Sequence, residues 1–398
     1  MEEVSEARDQ VAVIAFTAAL VAAYAGGFLP LLTTAIWVPT AKVHFGVSGI
    51  AMGLVASMEY TLSAITSLFL APRLTTRQPR HVFLCAMITI FLTTTTSALL
   101  SPTFPFFILL RAIEGAAVGV CTSTVIILAS RTARPSRSFG ALLFWQTMAA
   151  FLAYSLIARL INHFGLAGLY IIVAAIVLLC IMVVFLSKGW QPIANSASSS
   201  RITTGNGPLP VMRIAIASVG IVVVFAAYIA IYTTTGLFGG RAGLTLQQIG
   251  TILAIATPIS AVGALIQTFL AGRPSLSFLA VIAAIGAIAC GVGLAVFSHG
   301  FISLAVSFCG FIFFVCFGVP TIFAIASGLE PTGRAAAAVQ SSHMMGLALG
   351  PILGAVIGRS SITGLGLAAG ITMGTGFVLV AAVGLVRRQR IGIAFASG

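Results

Sequence analysis

The 398-residue chain consists of long, uninterrupted apolar runs separated by short polar stretches. Each run has about 20 residues and lacks the apolar–polar alternation of a strand, so it predicts a helix long enough to cross a bilayer. Inside lipid a segment must pair its own backbone polar groups, which also favours helices. The pattern predicts twelve spanning helices, at roughly 12–38, 48–71, 82–101, 105–130, 139–161, 167–187, 214–237, 247–271, 277–297, 301–327, 336–358 and 364–386.

A long polar stretch, 188–213, follows the sixth run. It is rich in Ser, Asn, Gly and Pro, as is typical of a flexible linker. The pattern therefore predicts an N-terminal six-helix bundle over 1–187, a linker over 188–213, and a C-terminal six-helix bundle with a short tail over 214–398. Two similar stretches, PSRSFG at 135–140 and PTGRAA at 331–336, suggest that the halves are related. The predicted fold class is an all-α polytopic membrane protein with two pseudo-symmetric bundles.

Composition supports this interpretation. The chain is 59% hydrophobic and only 7% charged, whereas soluble domains are about 25% charged. Most Lys and Arg residues fall in alternate loops, which predicts that both termini and the linker are cytoplasmic in a bacterial inner membrane. The acidic N-terminus has no cleavage-site pattern, so the first run is expected to remain as a span. Despite a net charge of +13, this loop distribution argues against nucleic-acid binding.

Enzyme chemistry is not predicted. The sequence shows no Ser-His-Asp set, no metal-ligand cluster and no phosphate-binding Gly loop with Lys. The six cysteines all fall inside apolar runs and are interpreted as small buried residues. We therefore expect no cofactor and no bound metal. Because no nucleotide-binding domain is present, any transport must use an ion or substrate gradient.

Two motifs carry a resemblance to a known family. The loop PRLTTRQPRHVFL at 72–84 keeps Leu74, Arg77 and Arg80 of the pattern Gly-x-Leu-x-Asp-Arg-x-Gly-Arg-Lys, with Thr76 in place of the acid. In the fourth run, Arg111, Gly115 and Gly119 fit Arg-x-x-x-Gly-x-Gly loosely. With the twelve-span pattern, these residues resemble the major facilitator superfamily. The resemblance implies alternating access between two bundles and a role for Arg111 in proton coupling.

One motif of the superfamily's drug–proton antiporters is displaced. Their fifth-span glycine–proline motif is absent from 140–161, and a similar run, GLALGPILG, occurs at 346–354. Its glycines are expected to allow close helix approach or a bend. This difference favours a solute carrier over drug export.

Three ionisable residues lie deep in the predicted spans, namely Glu59, Arg111 and Glu114. Such residues are rare in membranes, face the protein interior and usually pair. Arg111 and Glu114 are three residues apart and share a helix face, and Glu59 is predicted to lie at similar depth. One Arg neutralises one carboxylate, so Glu59 is left as the candidate proton-titrating acid. A static ion network that holds helices together is the alternative interpretation.

The resemblance also implies which spans line a central cavity, and so which residues bind substrate. The Tyr228–Tyr232 pair is four residues apart and can share a helix face. An amphipathic aromatic wall with a few polar groups suits a small organic ligand, although ordinary helix packing is an equal explanation for each residue. The candidate substrate-binding residues are Tyr24, Gln146, Tyr228, Tyr232, Gln267, Gln340 and His343.

These observations predict a proton-coupled secondary transporter of a small organic solute. An organic anion is favoured because Arg111 and His343 could face a carboxylate. Proton-driven efflux of amphipathic drugs or metabolites is the alternative within the same fold, and a non-transporting membrane sensor is the alternative of another class. The expected partners are the solute, protons and membrane lipid. A single chain contains both bundles, so a monomer is expected.

Overall fold

The computed structural model describes residues 2–74, 79–100, 103–132, 134–187, 210–330 and 332–396, and these residues are almost entirely helical. The helices are α1 (Glu2–Leu32), α2 (Thr34–Phe45), α3 (Gly49–Phe69), α4 (Ala71–Leu74), α5 (Pro79–Leu99), α6 (Phe104–Ser130), α7 (Pro135–Leu186), α8 (Val211–Thr233), α9 (Thr235–Arg241), α10 (Leu246–Leu270), α11 (Leu276–Val292, continued by the π-helical turn Gly293–Phe297), α12 (Phe301–Leu329), α13 (Arg334–Ser360) and α14 (Ile362–Ala396).

Within the described ranges, 11 helices are long and apolar enough to cross a membrane. The predicted second span, 48–71, is present as α3, a helix of 21 residues, but it is not one of the eleven. Glu59 and several Ser and Thr residues lower its hydropathy. The chain is thus a multi-pass helical membrane protein, as predicted.

One predicted span boundary requires correction. The first span was predicted to reach residue 38, but α1 ends at Leu32 and α2 begins at Thr34. Pro30 lies in the last turn of α1, where a proline removes a helical hydrogen bond, and the Thr33 hydroxyl donates to the carbonyl of Pro30 at 2.8 Å.

The predicted division between the fifth and sixth spans is confirmed. Helix α7 is kinked at Gly165, whose φ of 53° is readily adopted only by glycine, and its two parts contain the separate candidate spans Pro135–Ile157 and Phe164–Leu186.

The described residues form two compact units. Unit 1 contains Met1–Ala133, Trp145–Gly207 and Pro331–Ser341, and unit 2 contains Arg134–Phe144, Pro208–Glu330 and Ser342–Gly398. Each unit therefore takes most of its residues from one half of the chain and one short segment from the other half. Residues 188–209 of the predicted linker lie outside the described residues. The division into bundles at 187 and 214 therefore remains a prediction.

In unit 1, α6 is the most deeply buried of the candidate spans, with 83% of its apolar window buried. Both α3 and α5 pack against it. Two hydroxyl groups stabilise the contact between α3 and α6. Thr66 Oγ1 donates to the carbonyl of Ala116 at 2.9 Å, and Ser67 Oγ donates to the carbonyl of Gly119 at 3.1 Å. Such bonds between helices are effective in lipid, where no water competes. This packing sets the positions of the charged residues of unit 1.

In unit 2, the run GLALGPILG forms a close contact between α13 and α8. Cβ atoms placed on Gly346, Gly350 and Gly354 would lie 2.7 to 2.8 Å from backbone oxygens of α8. The three glycines are four residues apart, so they form one face along which the helix backbones approach. This is the small-residue packing expected between membrane helices, and it confirms the expectation of close helix approach at 346–354.

The Gly350→Ala variant tests this contact. Its Cβ would lie 2.8 Å from the carbonyl oxygen of Ala226, so the backbones must separate. Overpacking of this kind costs about 1–3 kcal/mol, and we expect a lower melting temperature of the purified protein in detergent.

Gly250→Ala is the matched control, because Gly250 is exposed in α10 and a Cβ there meets nothing within 4 Å. Helix propensity predicts a gain of up to about 1 kcal/mol for this variant. Equal melting temperatures for the two variants would contradict the close contact at Gly350.

Candidate functional site

The charged site of unit 1 is centred on α6. Arg111 Nη1 and Glu114 Oε1 are 2.7 Å apart, and both side chains are fully buried. The pair is local in sequence, because residues three apart lie on the same face of a helix. A charged pair excluded from water needs further hydrogen bonds to offset its lost hydration.

Helix α5 supplies those hydrogen bonds. Thr93 Oγ1 donates to Glu114 Oε2 at 2.8 Å, and Thr94 Oγ1 donates to the same oxygen at 3.3 Å. Arg111 Nη2 donates to Ser97 Oγ at 2.9 Å. Both carboxylate oxygens of Glu114 are therefore bonded. These hydroxyls were not identified from the sequence. The TTTTS run at 93–97 could have indicated them, because it places several hydroxyl groups in an apolar span at the depth of a buried charge.

Aromatic rings enclose the guanidinium group. The Arg111 Cζ atom lies 4.7 Å from the ring centroid of Tyr170 and 5.3 Å from that of Phe107. Rings at this distance attract a cation through their negative faces, and they also exclude water from it. Phe107 precedes Arg111 by four residues on α6, a spacing that places both on one helix face and could have been identified from the sequence. The contact with Tyr170 could not, because it depends on the packing of α6 against α7.

Glu59 lies on α3 beside this pair and is also fully buried. A Cβ on Gly115 would lie 2.3 Å from the Glu59 carbonyl oxygen, so the absence of a side chain at 115 allows α3 to approach α6 here. Glu59 is close enough to Arg111 and Glu114 to interact electrostatically with both. Neither of its carboxylate oxygens has a hydrogen-bond partner among the described residues.

The structure thus brings together the three predicted ionisable residues, and their surroundings differ. In the Arg111–Glu114 pair both carboxylate oxygens are bonded, although Arg111 Nε has no partner among the described residues. Neither oxygen of the Glu59 carboxyl group is hydrogen-bonded in the described part of the chain.

Three of the predicted substrate residues lie in unit 1, and all are buried. Tyr24 packs against Phe28, with ring centroids 5.8 Å apart. Gln340 Nε2 donates to Thr122 Oγ1 at 3.4 Å. Gln146 has a side-chain oxygen that makes no hydrogen bond to the described residues. Their role in substrate binding remains a prediction.

The other four predicted substrate residues lie in unit 2, where three of them belong to an aromatic row. The ring of His343 lies 3.7 Å from that of Phe225, Phe225 lies 5.8 Å from Tyr228, and Tyr228 lies 5.8 Å from Tyr232. Phe308 extends the row beyond Tyr232, and Phe323 extends it beyond His343. Tyr228 and Tyr232 remain partly exposed. The row can present a flat, amphipathic surface to a ligand.

Gln267 is separate from this row. It is fully buried, and its Nε2 donates to Ser136 Oγ at 2.7 Å. Its side-chain oxygen has no partner among the described residues. The position is more consistent with holding the segment around Ser136 than with contacting a solute.

Comparison with known proteins identifies the family. A family model described as Major Facilitator Superfamily matches residues 11–332. The chain belongs to the major facilitator superfamily. No protein of curated function matches the sequence.

Solved structures of superfamily members share the fold. A structure of FucP in the outward conformation has a TM-score of 0.71 at 17% identity, covering 94% of this chain and 99% of that one. The proton:xylose symporter XylE has a TM-score of 0.69 at 16% identity, covering 94% of each chain. The human organic anion transporter MFSD10 has a TM-score of 0.67 at 13% identity, covering 94% and 99%. At these identities the likeness shows the fold alone.

The superfamily motifs can now be related to contacts. In the fourth-span pattern, Gly115 and Gly119 both face α3, and a Cβ on Gly119 would lie 2.2 Å from the carbonyl oxygen of Ser63. In the loop pattern, Arg80 Nη2 donates to the carbonyl of Phe185 at 3.0 Å. Thr76 and Arg77 lie outside the described residues. The fourth-span motif in this superfamily member therefore combines a buried charge with a close helix contact.

The Arg111→Gln variant tests the ion pair. It leaves the Glu114 carboxylate buried without its cation, and breaking a buried pair in this way costs about 3–5 kcal/mol. We expect a large fall in the melting temperature of the purified protein. The double variant Arg111→Gln/Glu114→Gln removes both charges and should recover part of the loss. Additive effects of the two substitutions would contradict a direct pair.

Proposed function

We propose that the chain is a proton-coupled secondary transporter of a small organic solute, and that Glu59 carries the proton. The observation that supports this most directly is the state of the Glu59 carboxyl group. It is fully buried, lies beside a carboxylate and a guanidinium that are paired with each other, and makes no hydrogen bond to the described residues.

The desolvation cost of the Glu59 carboxylate can couple its protonation to a change in its hydration. Removing a carboxylate from water without a partner costs several kcal/mol, so the neutral acid is the less costly form in an enclosed site. A conformation that admits water to the same group removes this penalty and favours proton release. Alternating access provides such a change of hydration, because the two bundles open to opposite sides in turn.

A static ion network explains Arg111 and Glu114 but not Glu59. The network's hydrogen bonds come from Thr93, Thr94 and Ser97 of α5. A third ionisable group in the same place adds a desolvation cost and no bond. Such a group is readily explained if its charge changes during the transport cycle.

The substrate class is proposed from the aromatic row of unit 2. Tyr228 and Tyr232 are partly exposed, and they can pack against an apolar face of a solute while their hydroxyls bind its polar groups. Arg111 is enclosed between two rings and paired with Glu114, so the preference for an organic anion now rests on His343.

Export of amphipathic compounds is the second candidate, and the same aromatic row favours it. Flat lipophilic cations stack well on tyrosine rings, and a buried acid could balance their charge. Expression in an efflux-deficient host separates the two functions, because broad resistance to such compounds indicates export. Flux of solute into liposomes would in turn exclude a non-transporting sensor.

The proposal includes the orientation and the assembly expected from the sequence. The Lys and Arg distribution supports an orientation with both termini in the cytoplasm and the transporter in a bacterial inner membrane. A single chain supplies both bundles, so the transporting unit is proposed to be a monomer.

The Glu59→Gln variant tests proton coupling. A thermal-stability screen of organic acids, sugars and amphipathic compounds at pH 5.5 and 8 first identifies a solute that binds. In liposomes, we expect this variant to lose accumulation driven by a pH gradient while it keeps solute exchange at equal pH on both sides. The amide cannot carry a proton but has nearly the same shape.

Glu330→Gln is the matched control, because Glu330 follows the end of α12 and lies outside the charged site. It should retain gradient-driven accumulation. If Glu59→Gln also retains it, the proposed role of Glu59 is wrong.

The Tyr228→Ala variant tests the aromatic row. An aromatic contact contributes about 0.5–1.5 kcal/mol, so we expect the KM for the identified solute to rise roughly two- to tenfold while the dependence on the pH gradient is unchanged. Phe278→Ala is the control, since Phe278 is exposed on α11 outside the row. An unchanged KM in Tyr228→Ala would exclude Tyr228 from the substrate site.

A further inference from the structure

A groove of about 1660 Å³ opens on unit 1, and its lining includes none of Glu59, Arg111 and Glu114. It lies between α3, α4, α5, α6 and the first turn of α13. Its walls are mainly apolar, and several of the apolar side chains are exposed, including Leu68, Phe69 and Ile113. In a multi-pass membrane protein, exposed apolar side chains on the spans face lipid tails, so the groove is a surface feature that lipid can enter.

The groove has the length of a lipid molecule. Along α6 it extends from Ile113 to Arg131, which corresponds to roughly 27 Å at about 1.5 Å per residue. The hydrocarbon part of one leaflet is about half of a 30 Å core. The groove can therefore accommodate an acyl chain and still reach the headgroup region.

One end of the groove is basic. Arg73, His81, Arg131 and Arg334 line it, and the described lining residues include no Asp or Glu. The guanidinium of Arg131 is held in place, since its Nε and Nη2 donate to the carbonyl of Thr332 at 3.2 and 2.7 Å. The apolar wall and the cationic end match the two parts of an anionic phospholipid.

We propose that this groove binds an anionic phospholipid of the leaflet at whose surface these cations lie. Its phosphate lies among Arg73, Arg131 and Arg334, and one acyl chain lies along Leu68, Phe69 and Ile113. The cations at one end of the groove favour an anionic headgroup. The long apolar wall favours a lipid over a soluble phosphate. In the predicted orientation this is the cytoplasmic leaflet. The inference does not depend on the proposed transport activity.

Native mass spectrometry of the full-length protein in detergent tests this proposal. Dioleoyl phosphatidylglycerol and dioleoyl phosphatidylcholine are added at equal concentration after removal of co-purified lipid. We expect preferential retention of phosphatidylglycerol. Arg73→Gln and Arg334→Gln should each weaken its binding about fivefold, since one cation near a lipid headgroup contributes about 1 kcal/mol. Arg273→Gln, an exposed cation outside the groove, should leave binding unchanged.

A second pair of variants tests the apolar wall with the charges intact. Cys85 lines the groove, and Cys85→Trp should fill it and abolish phosphatidylglycerol retention. Leu92→Trp places the same side chain at an exposed position of α5 outside the groove and should have no effect.

Four results would overturn the proposal. They are equal retention of both lipids, full retention by Cys85→Trp, displacement of the lipid by glycerol phosphate, and a protein dimer that Cys85→Trp dissociates. The last result would identify a second copy of the chain as the occupant of the groove.

Discussion

The buried ion pair between Arg111 and Glu114 is the interaction on which the site of unit 1 depends. Two charges removed from water are stable only if their hydrogen-bonding capacity is used. Here the two groups bond to each other and to three hydroxyls of α5, and two rings enclose the cation. Arg111 forms its salt bridge with Glu114, and Glu59 makes no hydrogen bond to the described residues.

The position of Glu59 depends in turn on two glycines. A side chain at Gly115 or Gly119 would collide with the backbone of α3. Their absence lets α3 approach α6, and hydrogen bonds from Thr66 and Ser67 to backbone carbonyls hold that approach. Hydroxyl groups of α3 are therefore used in helix packing, and the same helix carries Glu59. Apolar side chains at positions 66 and 67 could not make these bonds.

Each half of the chain contributes one short segment to the compact unit formed mainly by the other half. Residues 134–144 belong to unit 2 and residues 331–341 belong to unit 1. These segments contain the similar stretches PSRSFG and PTGRAA. In unit 2, Ser136 accepts a hydrogen bond from Gln267, and in unit 1 Ser341 donates to the carbonyl of Ala64. The two similar stretches thus lie in the two short segments that pack with the other half of the chain.

Sequence alone determined the features that depend on local composition and spacing. Long apolar runs require helices in lipid, and a three-residue spacing places Arg111 and Glu114 on one helix face. The sequence also indicated that one carboxylate would be left over, because three ionisable groups cannot form two pairs. The superfamily was recognisable from the arrangement of spans and from the fourth-span motif.

Tertiary structure decided which groups surround those residues. The hydroxyls of Thr93, Thr94 and Ser97 and the ring of Tyr170 reach the pair from other helices, across separations that no local pattern encodes. The grouping of His343 with Tyr228 and Tyr232 through Phe225, and the assignment of Gln267 to a packing contact, also follow from packing between helices. The end of α1 at Leu32 depends on the turn at Thr33, which hydropathy does not detect. Hydrophobic pattern specifies where a membrane helix lies in the chain, whereas the rotation and neighbours of each helix come from side-chain packing.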